Sequence, residues 1–226
     1  MKDEARHIER NEAYWDRWAK SFDDATWVNN YLRRSQSALV SLLDIKENMC
    51  FLDVGCGTGY ALGRIAASIE GKGRFYGVDL SQKMIDKAKE NFKDEDNFHF
   101  VKANAESIPL DSDLFDIIIC TNSFHHYLNP VKALKEMRRL LKSAGKAYIL
   151  DPTADSWFLR LADKLHKLTE HEHVKFYSTK EFQQMFGEAG LKCAETKVLN
   201  FHREDASILE RVINNTNKNK VHVGEK

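Results

Sequence analysis

Neither sign of charge is in excess: the 226 residues carry 34 lysines and arginines against 34 aspartates and glutamates. A balanced chain shows no dedicated electrostatic footprint for nucleic acid, so no nucleic-acid partner is expected. Cysteine is scarce as well. The four, Cys50, Cys56, Cys120 and Cys193, are scattered without a CxxC pair. That spacing excludes a disulfide framework and leaves reduced thiols packed as small apolar groups. No apolar run approaches the length needed to cross a bilayer. The charged start, Met1-Lys2-Asp3-Glu4-Ala5-Arg6-His7, leads into no signal-peptide core. By elimination the expected compartment is cytoplasmic. Glycine is sparse too, yet three of the eleven fall within five positions, at Gly55, Gly57 and Gly59.

That cluster follows Phe51-Leu52-Asp53-Val54, which reads as a buried strand. It precedes a pattern in which Ala61, Leu62, Ile65, Ala66 and Ile69 recur at helix spacing. Strand, glycine turn and helix present bare backbone to a nucleotide-like ligand, because glycine combines close approach with positive φ. Tyr60 stands where the dinucleotide fingerprint needs its third glycine, which disfavours a nicotinamide dehydrogenase. A second strand, Arg74–Val78, ends in Asp79, an acid spaced to grip ribose hydroxyls across the first strand.

Around this centre the chain alternates strands and helices. Residues 9–22 form an amphipathic helix with Tyr14, Trp15, Trp18 and Phe22 among charges, and a second helix is expected over 26–43. Ser81 is a candidate N-cap for a helix through Asn91. The third strand is expected over Asn97–Lys102. The fourth, Leu114–Cys120, has the continuous Ile117-Ile118-Ile119 run of a strand covered on both faces. Pro130 opens a helix reaching Ser143, and a fifth strand covers Lys146–Leu150. Residues 153–177 break the rhythm and read as a lid over the same edge, with an amphipathic helix at Ser156–Thr169. Ser178-Thr179-Lys180-Glu181 is a capping box. Leu191–Leu199 is the expected sixth strand and Ser207–Ile213 the candidate seventh. Residues 214–226, polar and poor in apolar side chains, read as a flexible tail. The expected fold is α/β, doubly wound and mostly parallel, with ligands beyond the carboxyl ends of the strands.

Four collinear stretches carry a family resemblance: Phe51–Tyr60, Gly77–Ser81, Ala103–Leu110 and Phe115–His126. Together they resemble the class I S-adenosylmethionine-dependent methyltransferases, in the ubiquinone/menaquinone-methyltransferase-like small-molecule group. The resemblance implies a Rossmann-like sheet of about seven strands, the last antiparallel, over residues 45–213. It also implies an N-terminal helical cap over 1–44. The implied cofactor is S-adenosyl-L-methionine, leaving S-adenosyl-L-homocysteine as product.

In that frame Gly55, Cys56, Gly57 and Gly59 meet the amino-acid portion of the cofactor, with Asp53 accepting from its ammonium. Asp79 accepts from the ribose hydroxyls, and Leu80 and Met84 pack against adenine. Asn104, Ala105 and Glu106 form the adenine segment, and Thr121 closes the crevice. Asn104 departs from the family's commoner aspartate, but its carbonyl still accepts a hydrogen bond. His125 and His126 are the candidate catalytic pair, because an imidazole accepts a proton near neutral pH. No metal is expected: Glu170-His171-Glu172-His173, with His166 upstream, lacks the HExxH helix spacing. The aromatic content of cap and lid (Trp15, Trp18, Trp157, Phe158, Phe176 and Tyr177 among them) favours an apolar or ring-bearing small-molecule substrate. Methylation of protein or RNA, or binding of the cofactor by a non-catalytic regulatory domain, are the competing readings. Oligomeric state is not legible.

Overall fold

The computed structural model describes residues 2–169, 173–199 and 219–226. The seven strands are β1 (Cys50–Val54), β2 (Arg74–Asp79), β3 (Phe98–Lys102), β4 (Phe115–Thr121), β5 (Leu141–Pro152), β6 (Lys192–Val198) and β7 (Asn219–Glu225). They form one sheet in the order β3-β2-β1-β4-β5-β7-β6. β1 lies between β2 and β4, parallel to both, and every one of its residues is buried. β7 runs antiparallel between β5 and β6. The doubly wound expectation holds, with two of the pairings antiparallel.

Side chains alternate across the strands and feed two cores. Leu52, Val54, Ile118 and Ile149 pack on one face with Met137 and Phe182, carried by α5 (Pro130–Leu140) and α7 (Thr179–Glu188). Phe51, Ile117, Ile119 and Leu150 pack on the other with Leu62, Ile65 and Ile85, carried by α3 (Tyr60–Ser68) and α4 (Gln82–Asn91). This two-sided cover is why the Ile117-Ile118-Ile119 run is uninterrupted. The caps are those the sequence names. Ser81 Oγ accepts from Met84 N at 3.1 Å, and Ser178 with Glu181 completes a capping box.

Several boundaries differ from the expectation. α1 covers Lys2–Trp18, earlier than the predicted 9–22. The predicted helix over 26–43 is interrupted by a π-helical turn, Val28–Leu32, before α2 (Arg33–Val40). The helix predicted to reach Ser143 stops at Leu140, where the chain enters β5 through Leu141 paired with Phe115.

The largest correction concerns the end of the chain. The predicted strand Ser207–Ile213 falls outside the described residues. Residues 219–225, read as part of a flexible tail, are instead a strand with partners on both sides. Val221 and Val223 enter the core on one face. His222 is fully buried on the other, stacked on Phe182 at 4.0 Å. Two valines among Asn, Lys and Gly make a weak signal by composition. Pairing on both edges supplies what the side chains do not.

Candidate functional site

The glycine turn leaves β1 at the centre of the sheet with Gly55, Gly57 and Gly59 at φ of 80°, 52° and 86°. At Gly55 a side chain is also sterically barred, since a Cβ there would lie 2.4 Å from Ser123 Oγ. Ser123 in turn donates to Val54 O (3.2 Å) and lies 3.0 Å from the Tyr127 hydroxyl. The turn faces a crevice with an empty volume of about 1090 Å³, its open mouth included.

Most of the residues expected from sequence converge on this crevice. Gly55, Cys56, Gly57 and Asp79 line it, as do Leu80 and Met84. The Asn104-Ala105-Glu106 segment and Thr121 complete that part of the wall. Asp79 braces the turn: one carboxylate oxygen accepts from Gly57 N and the other from Ser81 N, both at 2.9 Å. Each oxygen keeps a second lone-pair direction for a ligand. Burial pushes the Asp79 carboxyl up, and those backbone hydrogen bonds oppose the shift. Asn104 Oδ1 accepts from Glu106 N at 2.9 Å. Glu106 is itself held by Asn129, which donates from its backbone and its side chain, each at 3.0 Å.

Three expected residues lie elsewhere. Gly59 does not line the crevice; it caps α3 with its missing Cβ facing Phe92 and Phe100, so it serves the turn. Asp53 is fully buried behind the turn, and both of its oxygens are without a hydrogen-bond partner among the described residues. Burial, aided by the charge of Asp79, pushes its carboxyl up to about 8. His125 and His126 part company. His126 lines the crevice and sits edge-on to Trp15 with ring centroids 5.5 Å apart. His125 turns away. Its Nδ1 lies 2.9 and 3.1 Å from the two oxygens of Asp151, and its carbonyl accepts from Val174 N and Lys175 N. Asp151 is fully buried, and burial pushes it well above the ordinary carboxylate range against backbone hydrogen bonds from Phe124 and His125.

Among the described residues, the roof comes from the N-terminal helices. No described residue of 153–177 lines the crevice, whereas His7, Asn11 and Trp15 of α1 do. Phe22 and Gln36 join them, and so does Arg33, the one lysine or arginine among the lining residues. Gln36 donates to Thr121 Oγ1 at 3.0 Å. Arg33 stacks 4.9 Å over the Tyr60 ring and donates to Asp23, which also accepts from Thr58 Oγ1 (2.7 Å). Cap and glycine loop are thus latched through one carboxylate. Apart from the aromatic positions, sequence analysis missed these polar groups. Asn122 was missed as well; it lines the crevice with its own oxygen unpartnered among the described residues. The signal for α1 was present: His7, Asn11 and Trp15 recur at a spacing of four, on one helix face.

Residues 45–190 match the family model described as a methyltransferase domain, more than half of the chain. The chain belongs to the methyltransferase-domain family. It is 31% identical over 139 residues to an uncharacterized methyltransferase, YcgJ, of Bacillus subtilis, covering 60% of this chain and 54% of that one. It is 32% identical over 103 residues to the ubiquinone/menaquinone biosynthesis C-methyltransferase UbiE of Vibrio vulnificus, covering 44% and 40%. The chain spans about half the length of the curated relatives it matches. Among solved structures, a chain from the complex between the Haloferax volcanii Trm112 methyltransferase activator and the putative methyltransferase superposes with a TM-score of 0.79. That chain is 24% identical, with 93% of this chain and 96% of that one covered, and the likeness shows the shared fold. No helix among the described residues is long and apolar enough to cross a membrane.

Proposed function

We propose that this methyltransferase-family domain transfers the methyl group of S-adenosylmethionine to a small ring-bearing acceptor. The observation that carries the reading is the crevice itself. A bare glycine turn, a half-buried carboxylate at the end of the next strand and an imidazole from the β4 loop open into one space under an aromatic cap. The residues fit the cofactor. Asp79 has accepting capacity left for two hydroxyls, Asp53 is an orphaned buried acceptor, and Gly55 and Gly57 expose backbone where side chains would intrude.

When bound, S-adenosylmethionine supplies an already activated sulfonium methyl group. The protein's own work is then positioning and exclusion of water. Asp79 would hold the ribose and Asn104 the adenine edge. Arg33 would meet the carboxylate of the amino-acid end, and Asp53, buried behind the turn, would act on its ammonium through space. Trp15 and Phe22 would shut out solvent. The name of the Vibrio relative, a quinone-pathway C-methyltransferase, supports an apolar ring as acceptor. We read residues 1–44 as the cap, and Val174 and Lys175 as a brace behind His125. A cytoplasmic location suits the free thiols Cys50, Cys56 and Cys120, all buried.

Asp53 makes the cofactor reading testable by pH. With its carboxyl at about 8, the empty site carries a proton there at neutral pH. A docking ammonium favours the ionised form, so binding expels that proton. Affinity for S-adenosylhomocysteine should therefore tighten from pH 6 to 8 and level off above. Calorimetry at pH 7 in buffers of different ionisation heat should register the released proton. Asp53→Asn should abolish both effects; a pH-independent affinity in the parent protein would contradict the assignment.

His126 is assigned as the base that takes a proton from a hydroxyl or amine acceptor. Replacing it by alanine should lower kcat by about 10²-fold, within the usual range for general-base catalysis, and leave S-adenosylhomocysteine affinity within twofold. His125→Ala should instead lower the melting temperature, because it strips a partner from buried Asp151. The working assay is transfer of radiolabelled methyl to a panel of apolar phenols and quinols. Full activity in His126→Ala would remove it from the chemistry.

A further inference from the structure

Asn11 is out of place as a structural residue. It is buried, at 7% exposure, in the middle of α1, and it lines the crevice. Its side-chain oxygen has no hydrogen-bond partner among the described residues. A buried carbonyl left unmet costs stability, so such a group is retained where something else satisfies it. The geometry of α1 indicates what that is. One turn earlier, His7 Nε2 donates to the carbonyl of His126 at 3.2 Å. One turn later, Trp15 meets the His126 ring. The next residue, Glu12, pairs with Lys102, the last residue of β3, beside the Ala103–Glu106 segment. Asp16 accepts from Ser81 Oγ (2.5 Å) and Lys83 N (3.2 Å), just past Asp79 at the end of β2. The helix is therefore tied down at the ends of β2 and β3, the two strands whose termini carry the ribose and adenine residues.

We propose that Asn11 binds the cofactor from the cap, its Oδ1 accepting a hydrogen bond from the adenosyl half of the bound S-adenosyl ligand. This rests on the cofactor reading above and adds to it a contact from outside the strand-end motifs. A donor presented there fits an adenosyl group, whose hydroxyls and exocyclic amine all carry hydrogens. A carboxylate or phosphate would set one acceptor against another.

The test is Asn11→Leu in the full chain, read by two measurements. Thermal unfolding of the unliganded protein should show a midpoint equal to or above that of the parent, because an unsatisfied buried polar atom has gone. Calorimetric affinity for S-adenosylhomocysteine should fall about tenfold, the loss of one well-made hydrogen bond. Adenosine, which lacks the amino-acid end, should lose the same factor. Unchanged affinity would overturn the proposal. Lower affinity together with a lower unliganded midpoint would overturn it as well, making Asn11 a mere prop for the cap. If the parent protein itself fails to bind S-adenosylhomocysteine, the cofactor reading falls first, and that result is separate from either.

Discussion

Gly55→Ala should lower the melting temperature by about 6–12 °C and remove detectable S-adenosylhomocysteine binding. The alanine Cβ would come within 2.4 Å of Ser123 Oγ and 2.7 Å of Ser123 Cβ. Ser123 has nowhere to retreat, because it is held by Val54 O, the Tyr127 hydroxyl and Cys120 Sγ. Overpacking and a left-handed φ together cost ~3 kcal/mol. In a chain of this size that corresponds to the stated shift, at roughly 2–4 °C per kcal/mol. Gly57→Ala is the informative partner. Its φ is also positive, at 52°, but the nearest atom to an added Cβ is Phe22 Cε1 at 3.8 Å, across the crevice mouth. Stability should fall by only ~1 kcal/mol, the strain of the backbone conformation. Binding should weaken more than tenfold, because the methyl occupies space reserved for the ligand. Calorimetry and thermal unfolding on both variants separate the two effects. Equal loss of stability in both would refute the division of labour along the turn.

The second large effect is expected at Asp79. Its two oxygens are the acceptors for Gly57 N and Ser81 N, so the residue both shapes the glycine turn and faces the ligand. Asp79→Ala removes an anchor and a binding group at once. Loss of two hydrogen bonds to a charged acceptor, at ~1.5–3 kcal/mol each, predicts at least a ~100-fold weaker affinity for S-adenosylhomocysteine. Asp79→Asn keeps the volume and one accepting oxygen but turns the other position into a donor facing an N–H. Its expected loss is about tenfold, between the two. Titration calorimetry on the pair checks the order; an alanine variant that binds as well as the parent would remove Asp79 from the site.

How much of this was legible in the sequence depended on where the deciding partner lay. Ser81 and Glu181 act on neighbours three residues away, so their caps could be read directly. The central strands could be read because Ile117, Ile118 and Ile119 point alternately into two cores. The histidine pair could not be separated, since the buried acceptor that claims His125 is Asp151, twenty-six positions on. The roof was foreseen as aromatic, and Trp15 and Phe22 do line the crevice. Among its polar members, Asn11 shares the four-residue spacing of His7 and Trp15, whereas Arg33 and Gln36 act on Asp23, Tyr60 and Thr121, and no local pattern announces those two. Glycine spacing placed Gly59 beside Gly55 and Gly57, yet the third turns its bare face to Phe92 and Phe100. The last strand was missed for a related reason. Its stability comes from pairing with β5 and β6 on either side, and only Val221 and Val223 betray burial.

The decisive measurement is thermal unfolding of the parent protein with S-adenosylhomocysteine and, separately, with NAD. A ligand held in this crevice at a hundred times its dissociation constant should stabilise the fold by ~2.7 kcal/mol, several degrees in melting temperature. S-adenosylhomocysteine should produce that shift and NAD none, and Asp79→Ala should erase it. A shift with NAD, or none with either ligand, would contradict the account.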